Sequence, residues 1–172
     1  LVAPPLNFGC SPYFLAYPGT ISLRLTTLLD AVEDIVRSLH GQGFHRILVL
    51  NGHGGNSGLK IRLTELCNQH PGLKVQWYAW WMSHSVEAVA RKHGIKSEHA
   101  NWLEAFPFTI TGTMPEQSKV PPYVPSDIMN GQQTRMVYGD GSFGGEYQVA
   151  QEIMDEIFAA AVEDILHLLR FQ

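Results

Sequence analysis

Cysteine is scarce in this chain: Cys10 and Cys67 are the only two in 172 residues. Two isolated thiols build neither a disulfide framework nor a zinc ribbon, and a reducing, cytoplasmic setting is the expectation. Charge is sparse too, at 16% of residues, with a formal net charge of -4. The absence of a Lys/Arg cluster argues against nucleic acid or an anionic membrane as partner. Apolar runs fall well short of the roughly 20 residues a membrane helix requires. Leu1-Val2-Ala3-Pro4-Pro5 lacks the basic and apolar regions of a signal peptide. Internal repeats and low-complexity segments are missing as well.

What is present suits one folded domain. Hydrophobic residues make up 45% of the sequence, enough side chain for a core at this length. The chain opens on Leu and runs straight into an apolar, proline-bearing stretch. The expectation is a single domain, residues 1–172, belonging to a longer protein and truncated at its N-terminal side.

Hydrophobic spacing supplies the elements. Residues 1–20 read as loop with short extended pieces. Thr27 then offers an N-cap with Asp30 three positions on. Leu28, Val32, Ile35, Val36 and Leu39 follow at helical spacing, until Gly41 and Gly43 stop the helix. Residues 47–50, Ile-Leu-Val-Leu, form an unbroken apolar run, the pattern of a strand buried on both faces. A second helix is expected over 57–70, a second strand over 75–81 and a short helix over 85–93. Residues 114–127 hold four of the ten prolines and read as a long loop, a candidate subunit contact. A last helix is expected over 147–169. Helices alternating with strands predict an α/β fold, a mostly parallel sheet with helices on both faces. In such folds ligands sit beyond the carboxyl ends of the strands.

That position is occupied by Asn51-Gly52-His53-Gly54-Gly55-Asn56. Its glycines let backbone approach a ligand closely, and the loop leads into a helix whose first N–H groups are unpaired. Neutral imidazole is a common metal ligand and general base, and free amides can stabilise an oxyanion. A glycine-rich turn with a solvated imidazole is the plain alternative. The spacing matches neither G-x-G-x-x-G nor a Walker loop. The aromatic group Trp77, Tyr78, Trp80 and Trp81 reads as core before pocket. His40, His45, His70, His93 and His167 read as solvated, and Cys10 as an unactivated thiol.

Taken in order, three segments resemble the creatininase (creatinine amidohydrolase) family. They are Tyr17-Pro18-Gly19-Thr20-Ile21-Ser22-Leu23, then Gly43-Phe44-His45-Arg46, then the glycine-rich loop. Gly139-Asp140-Gly141 is similar to a turn of the same family. The resemblance implies a three-layer α/β/α fold with a mostly parallel central sheet. It also implies a metal-dependent amidohydrolase of small polar or cyclic molecules, often a hexamer. The cofactor implied is a divalent metal, Zn²⁺ first, with Mn²⁺ or Fe²⁺ as options. His53 maps onto the family's loop ligand; the amides of Gly54, Gly55 and Asn56, at the expected helix start, are the candidate oxyanion donors. His99-Ala100-Asn101-Trp102-Leu103-Glu104 resembles the signature His-Ala-Gly-x-x-Glu. His99 is thereby implied as proton shuttle and Glu104 as ligand or water-steering carboxylate.

Two departures stand out. Creatininase itself carries Glu where this chain has Gly55, which turns the expectation from creatinine itself toward a related amide or formamide. The family's Glu-x-His and Asp ligands precede the Pro-Gly-Thr segment and are expected in sequence before Leu1. The alternative reading is a non-catalytic binding or assembly protein that has lost those ligands.

Overall fold

Leu28 and Val36, two helical turns apart, are both almost wholly buried and anchor the first helix, α1, Leu25–Gly41. It starts two residues before the expected Thr27 cap. Arg24 holds the N-cap position in extended conformation, and no side chain caps the end. The reason is packing: the Leu25 side chain lies against the Gly58 backbone, where even a Cβ would stand 3.1 Å from its Cδ1. The computed structural model describes residues 1–126 and 128–172. It resolves into two units, residues 1–79 with 171–172, and residues 80–170.

In the first unit, β1, Arg46–Asn51, pairs in parallel with β2, Lys74–Ala79, in register from Arg46–Lys74 to Asn51–Ala79. Parallel neighbours need a crossover. It is made by a 3₁₀ turn, Gly54–Gly58, and α2, Leu59–Gln69. Leu28, Val36, Leu59, Leu63, Leu66 and Leu73 form the core, with Ile47, Val49, Val75 and Trp77 packed on it. Each fully buried aliphatic side chain contributes roughly 1.5–3 kcal/mol. The expected burial of β1 on both faces is not realised, since Leu50 is 57% exposed. Among the described residues the sheet has these two strands, so each keeps one edge unpaired.

In the second unit a 3₁₀ turn at Trp80–Met82 stands where the strand reading ran on to 81. The next helix, α3, His84–Lys92, is capped by the Ser83 hydroxyl, which accepts from the N–H groups of Ser85 and Val86. It packs on the C-terminal helix through Val86, Ala90, Met154, Ile157 and Ala161, with Trp102, Leu103 and Phe106 completing the core. Between them lies α4, Gly131–Tyr138, which the sequence reading missed. The last helix, α5, Gln151–Leu168, begins later than expected, after an extended Ala150. Residues 114–126 form no helix and join the unit through the isolated Lys119–Gly145 bridge. Asp127, the end of the expected loop contact, lies outside the described residues. No described helix is long and apolar enough to cross a membrane.

Candidate functional site

The loop after β1 is braced by two asparagines. Asn51 is buried; its Nδ2 donates to the His53 carbonyl at 2.8 Å, and its Oδ1 accepts from Asn56 Nδ2 at 3.1 Å. The Asn56 Oδ1 in turn accepts the Cys10 N–H at 3.0 Å. Asn56 was expected to offer its amide to an oxyanion. Instead its N–H donates to the His53 carbonyl at 3.2 Å, and the residue serves as a brace.

His53 is half-buried, in extended conformation just ahead of the 3₁₀ turn. Its Nε2 lies 3.0 Å from the Cys10 carbonyl and 3.0 Å from Ser11 Oγ. A carbonyl only accepts, so Nε2 carries the proton and donates. That leaves Nδ1 as the lone-pair nitrogen, the form in which imidazole binds a metal. The strand of chain holding Nε2 is itself pinned. Ser11 N–H donates to Ser22 Oγ at 2.8 Å, and Leu23 N–H to the Gly9 carbonyl at 2.9 Å. The Pro-Gly-Thr-Ile-Ser-Leu segment thus orients His53 from 11 residues beyond Ser11. Gly55 is locked in by the same contact, since a Cβ there would lie 1.9 Å from the Cys10 carbonyl oxygen.

His99 and Glu104 belong to the second unit. His99 precedes the 3₁₀ turn Trp102–Glu104, and Glu104 is the last residue of that turn. Asn101, where the family signature has Gly, caps the turn by accepting from Leu103 N–H at 3.1 Å. Its Nδ2 and the Trp102 indole N–H both donate to the Lys96 carbonyl, each at 2.9 Å. Ala100 sits in the left-handed region, φ +50°. There its N–H donates to Glu104 Oε1 at 3.2 Å. The His99 ring lies 4.7 Å from that of Phe143, whose N–H donates to the His99 carbonyl at 3.0 Å. Glu104 is exposed and His99 half-buried.

One cluster escaped the sequence reading. Asp140 accepts from Lys119 Nζ, from Tyr147 Oη and from Ser142 N–H. Burial raises its carboxyl pKa, but Lys119, Tyr147 and the Ser142 N–H outweigh burial and hold it below its ordinary value. Lys119 also donates to the Tyr138 and Ser142 carbonyls. It therefore clips residues 114–126 to the Gly139-Asp140-Gly141 turn. The partners are remote in sequence, so only the turn itself was legible. The aromatic group separates as expected of core residues, with Trp77 in the first core and Trp80 against Phe106 in the second unit.

His53 Nδ1 in the first unit and the Glu104 carboxylate in the second are each, taken singly, donor types suited to a divalent metal. Among the described residues no three His, Cys, Asp or Glu side chains converge as a metal cage.

Known proteins give this geometry a context. The family model described as creatinine amidohydrolase matches residues 1–169. Creatinine amidohydrolase of Pseudomonas putida is 37% identical over 76 residues, covering 38% of this chain and 29% of that protein. The 3-dehydro-scyllo-inosose hydrolase of Thermotoga maritima is 27% identical over 82 residues, covering 45% of this chain and 26% of its own length. The matches therefore span less than a third of either relative. A glutamate-to-glutamine mutant creatininase complexed with creatine superposes with a TM-score of 0.70 at 23% identity, over 90% of this chain and 68% of that one. A creatininase described as the Mn form and a mutant described as Zn-Zn type superpose with TM-scores of 0.67 and 0.66. Each is 22% identical, over 90% of this chain and 67% of the other. The fold is the α/β fold of these proteins.

Proposed function

This chain belongs to the creatininase family, and from that premise we propose that it is, or is part of, a divalent-metal-dependent amidohydrolase. The bond cleaved is the C–N bond of a small polar or cyclic amide. The observation that carries the reading is the family match across residues 1–169. Gly55 in place of creatininase's Glu turns the preference toward a creatinine-like amide or a formamide. Zn²⁺ is the first candidate metal and Mn²⁺ the second, in line with the forms named for the related structures.

When bound, a divalent metal supplies a Lewis acid for the carbonyl and lowers the pKa of a water toward 7. His53 offers Nδ1 as ligand while Cys10 and Ser11 hold its other nitrogen. By the family resemblance, Glu104 would be the second ligand or the carboxylate that steers the water. The Gly54 and Gly55 amides, at the start of the turn after His53, would be the donors available to an oxyanion. His99 passes the proton to the leaving nitrogen, a role worth typically 10²–10⁴-fold in rate. A homo-oligomer in a cytoplasmic setting completes the proposal.

Metal analysis of the full-length protein after reconstitution, paired with assays on creatinine-like lactams and formamides, tests it. Stoichiometric Zn or Mn is expected in the wild type, with loss of metal and at least a hundredfold drop in kcat/KM in His53→Ala. A wild type that retains no such metal and turns over neither substrate class overturns the reading in favour of the non-catalytic alternative.

A further inference from the structure

The end of β1 opposite His53 carries three imidazoles that the family reading leaves without a role. His40 lies in the last turn of α1. The helix then ends in a reversal: Gly43 N–H donates to the His40 carbonyl at 2.9 Å and Phe44 N–H to the Leu39 carbonyl at 3.0 Å. This is a Schellman turn, and its left-handed position is filled by Gly43, φ +92°. The reversal returns the chain so that His45 faces His40. Their Nδ1 atoms are 3.1 Å apart, and their rings meet edge to face at 4.8 Å. His70, just past α2, places its ring 5.1 Å from that of His40. Its Nε2 accepts from Arg37 at 2.9 Å, so that nitrogen is committed.

The 3.1 Å contact constrains chemistry. The two Nδ1 atoms cannot both be protonated; one donates and the other accepts. A single proton therefore sits between two nitrogen lone pairs. With Zn–N bonds of about 2.0–2.1 Å, two ligands on a tetrahedral ion stand about 3.3 Å apart, close to the separation seen here, and a turn of both rings would aim the two Nδ1 lone pairs at one ion. Paired imidazoles favour Zn²⁺, Cu²⁺ or Ni²⁺ over Mg²⁺ or Ca²⁺. The charged surroundings are those of a weak, exchangeable site. Arg37 is engaged by Glu33, Gln69 and His70. Arg46 and Lys74 open the two paired strands. Burial, then His45 and His70, lowers the His40 pKa.

We propose that His40 and His45 form a second metal site, a two-imidazole chelate through both Nδ1 atoms for a borderline divalent ion such as Zn²⁺, with water completing the coordination. From two neutral rings no net proton is released, because the Nδ1 proton is lost as the same ring takes one up at Nε2. The site is independent of the hydrolase reading.

Histidine-ring ¹⁵N NMR of the full chain, titrated with ZnCl₂ in a His53→Ala background, reads the site directly. The His40 and His45 Nδ1 resonances are expected to move together and to saturate at one equivalent. His45→Gln is expected to abolish the His40 shift and weaken the apparent Kd at least tenfold. The proposal is overturned if neither ring responds at ten equivalents, or if the His40 shift survives His45→Gln unchanged. The first of these is read on folded protein with both imidazoles intact, so a poorly folded variant cannot mask it.

Discussion

Gly55 stands where backbone meets backbone. With a Cβ 1.9 Å from the Cys10 carbonyl oxygen, Gly55→Ala must push residues 9–11 off the loop and break the bond that holds His53 Nε2. Overpacking of this kind costs about 1–3 kcal/mol. Urea unfolding should show the loss as a lower midpoint, and an unchanged midpoint would remove the basis for the close approach. The sequence made His53 legible because a histidine among glycines follows an apolar run. It could not say which nitrogen is free, since that depends on a carbonyl 43 positions away. The glycines were read as room for a ligand; at Gly55 the room is taken by the chain itself. His40 and His45 read as solvated for a different reason: they lie five positions apart, and only the reversal at Gly43 brings their rings together.

At the level of elements, periodicity located α1, α2, α3 and α5, because each buries a stripe with helical spacing. It missed α4, whose composition is polar and whose neighbours are proline-rich. The signal was there in Asn130 and Gln133, which form a capping box around the first turn. The end of β2 was misplaced because Trp80 and Trp81 continue its aromatic character while the backbone turns. Ser83 provides a test of how these ends are held. Its hydroxyl caps α3 and also contacts Asp164 of α5. Ser83→Ala should lower stability by about 0.5–2 kcal/mol, measured by chemical denaturation, with Ser83→Thr retaining most of it. Equal losses in the two variants would point to packing instead of capping.

For the molecule as a whole, pH is the informative variable. Glu33 is held below its ordinary pKa by Arg62 and Arg37, and Glu156 by Lys92 and His93. These carboxylates, with Asp140, bind protons less readily folded than unfolded, so their contribution is present above the unfolded pKa and lost as pH falls through the folded one. His40 is also lowered. The unfolded chain takes up its proton first, so stability begins to fall as pH drops below about 6.5, the unperturbed imidazole value, and continues to fall down to the folded pKa. The expected Tm profile declines in two stages on acidification, one from about pH 6.5 and one below about pH 4.5. His40→Gln should flatten the first stage alone; a first stage that persists unchanged in this variant assigns it elsewhere. The α/β class was legible in the alternation of elements. The division into two units was not, because local hydrophobic pattern does not report which stripe packs on which.

The left-handed alanine beside His99 bears on how this protein could be engineered. Ala100 at φ +50° stores about 1–2 kcal/mol of backbone strain, and a glycine there would release it. A screen that rewards heat resistance alone should therefore enrich Ala100→Gly, and the winners would hold His99 and the Ala100–Glu104 contact more loosely. Selection for robustness and selection for turnover are expected to pull this one position in opposite directions.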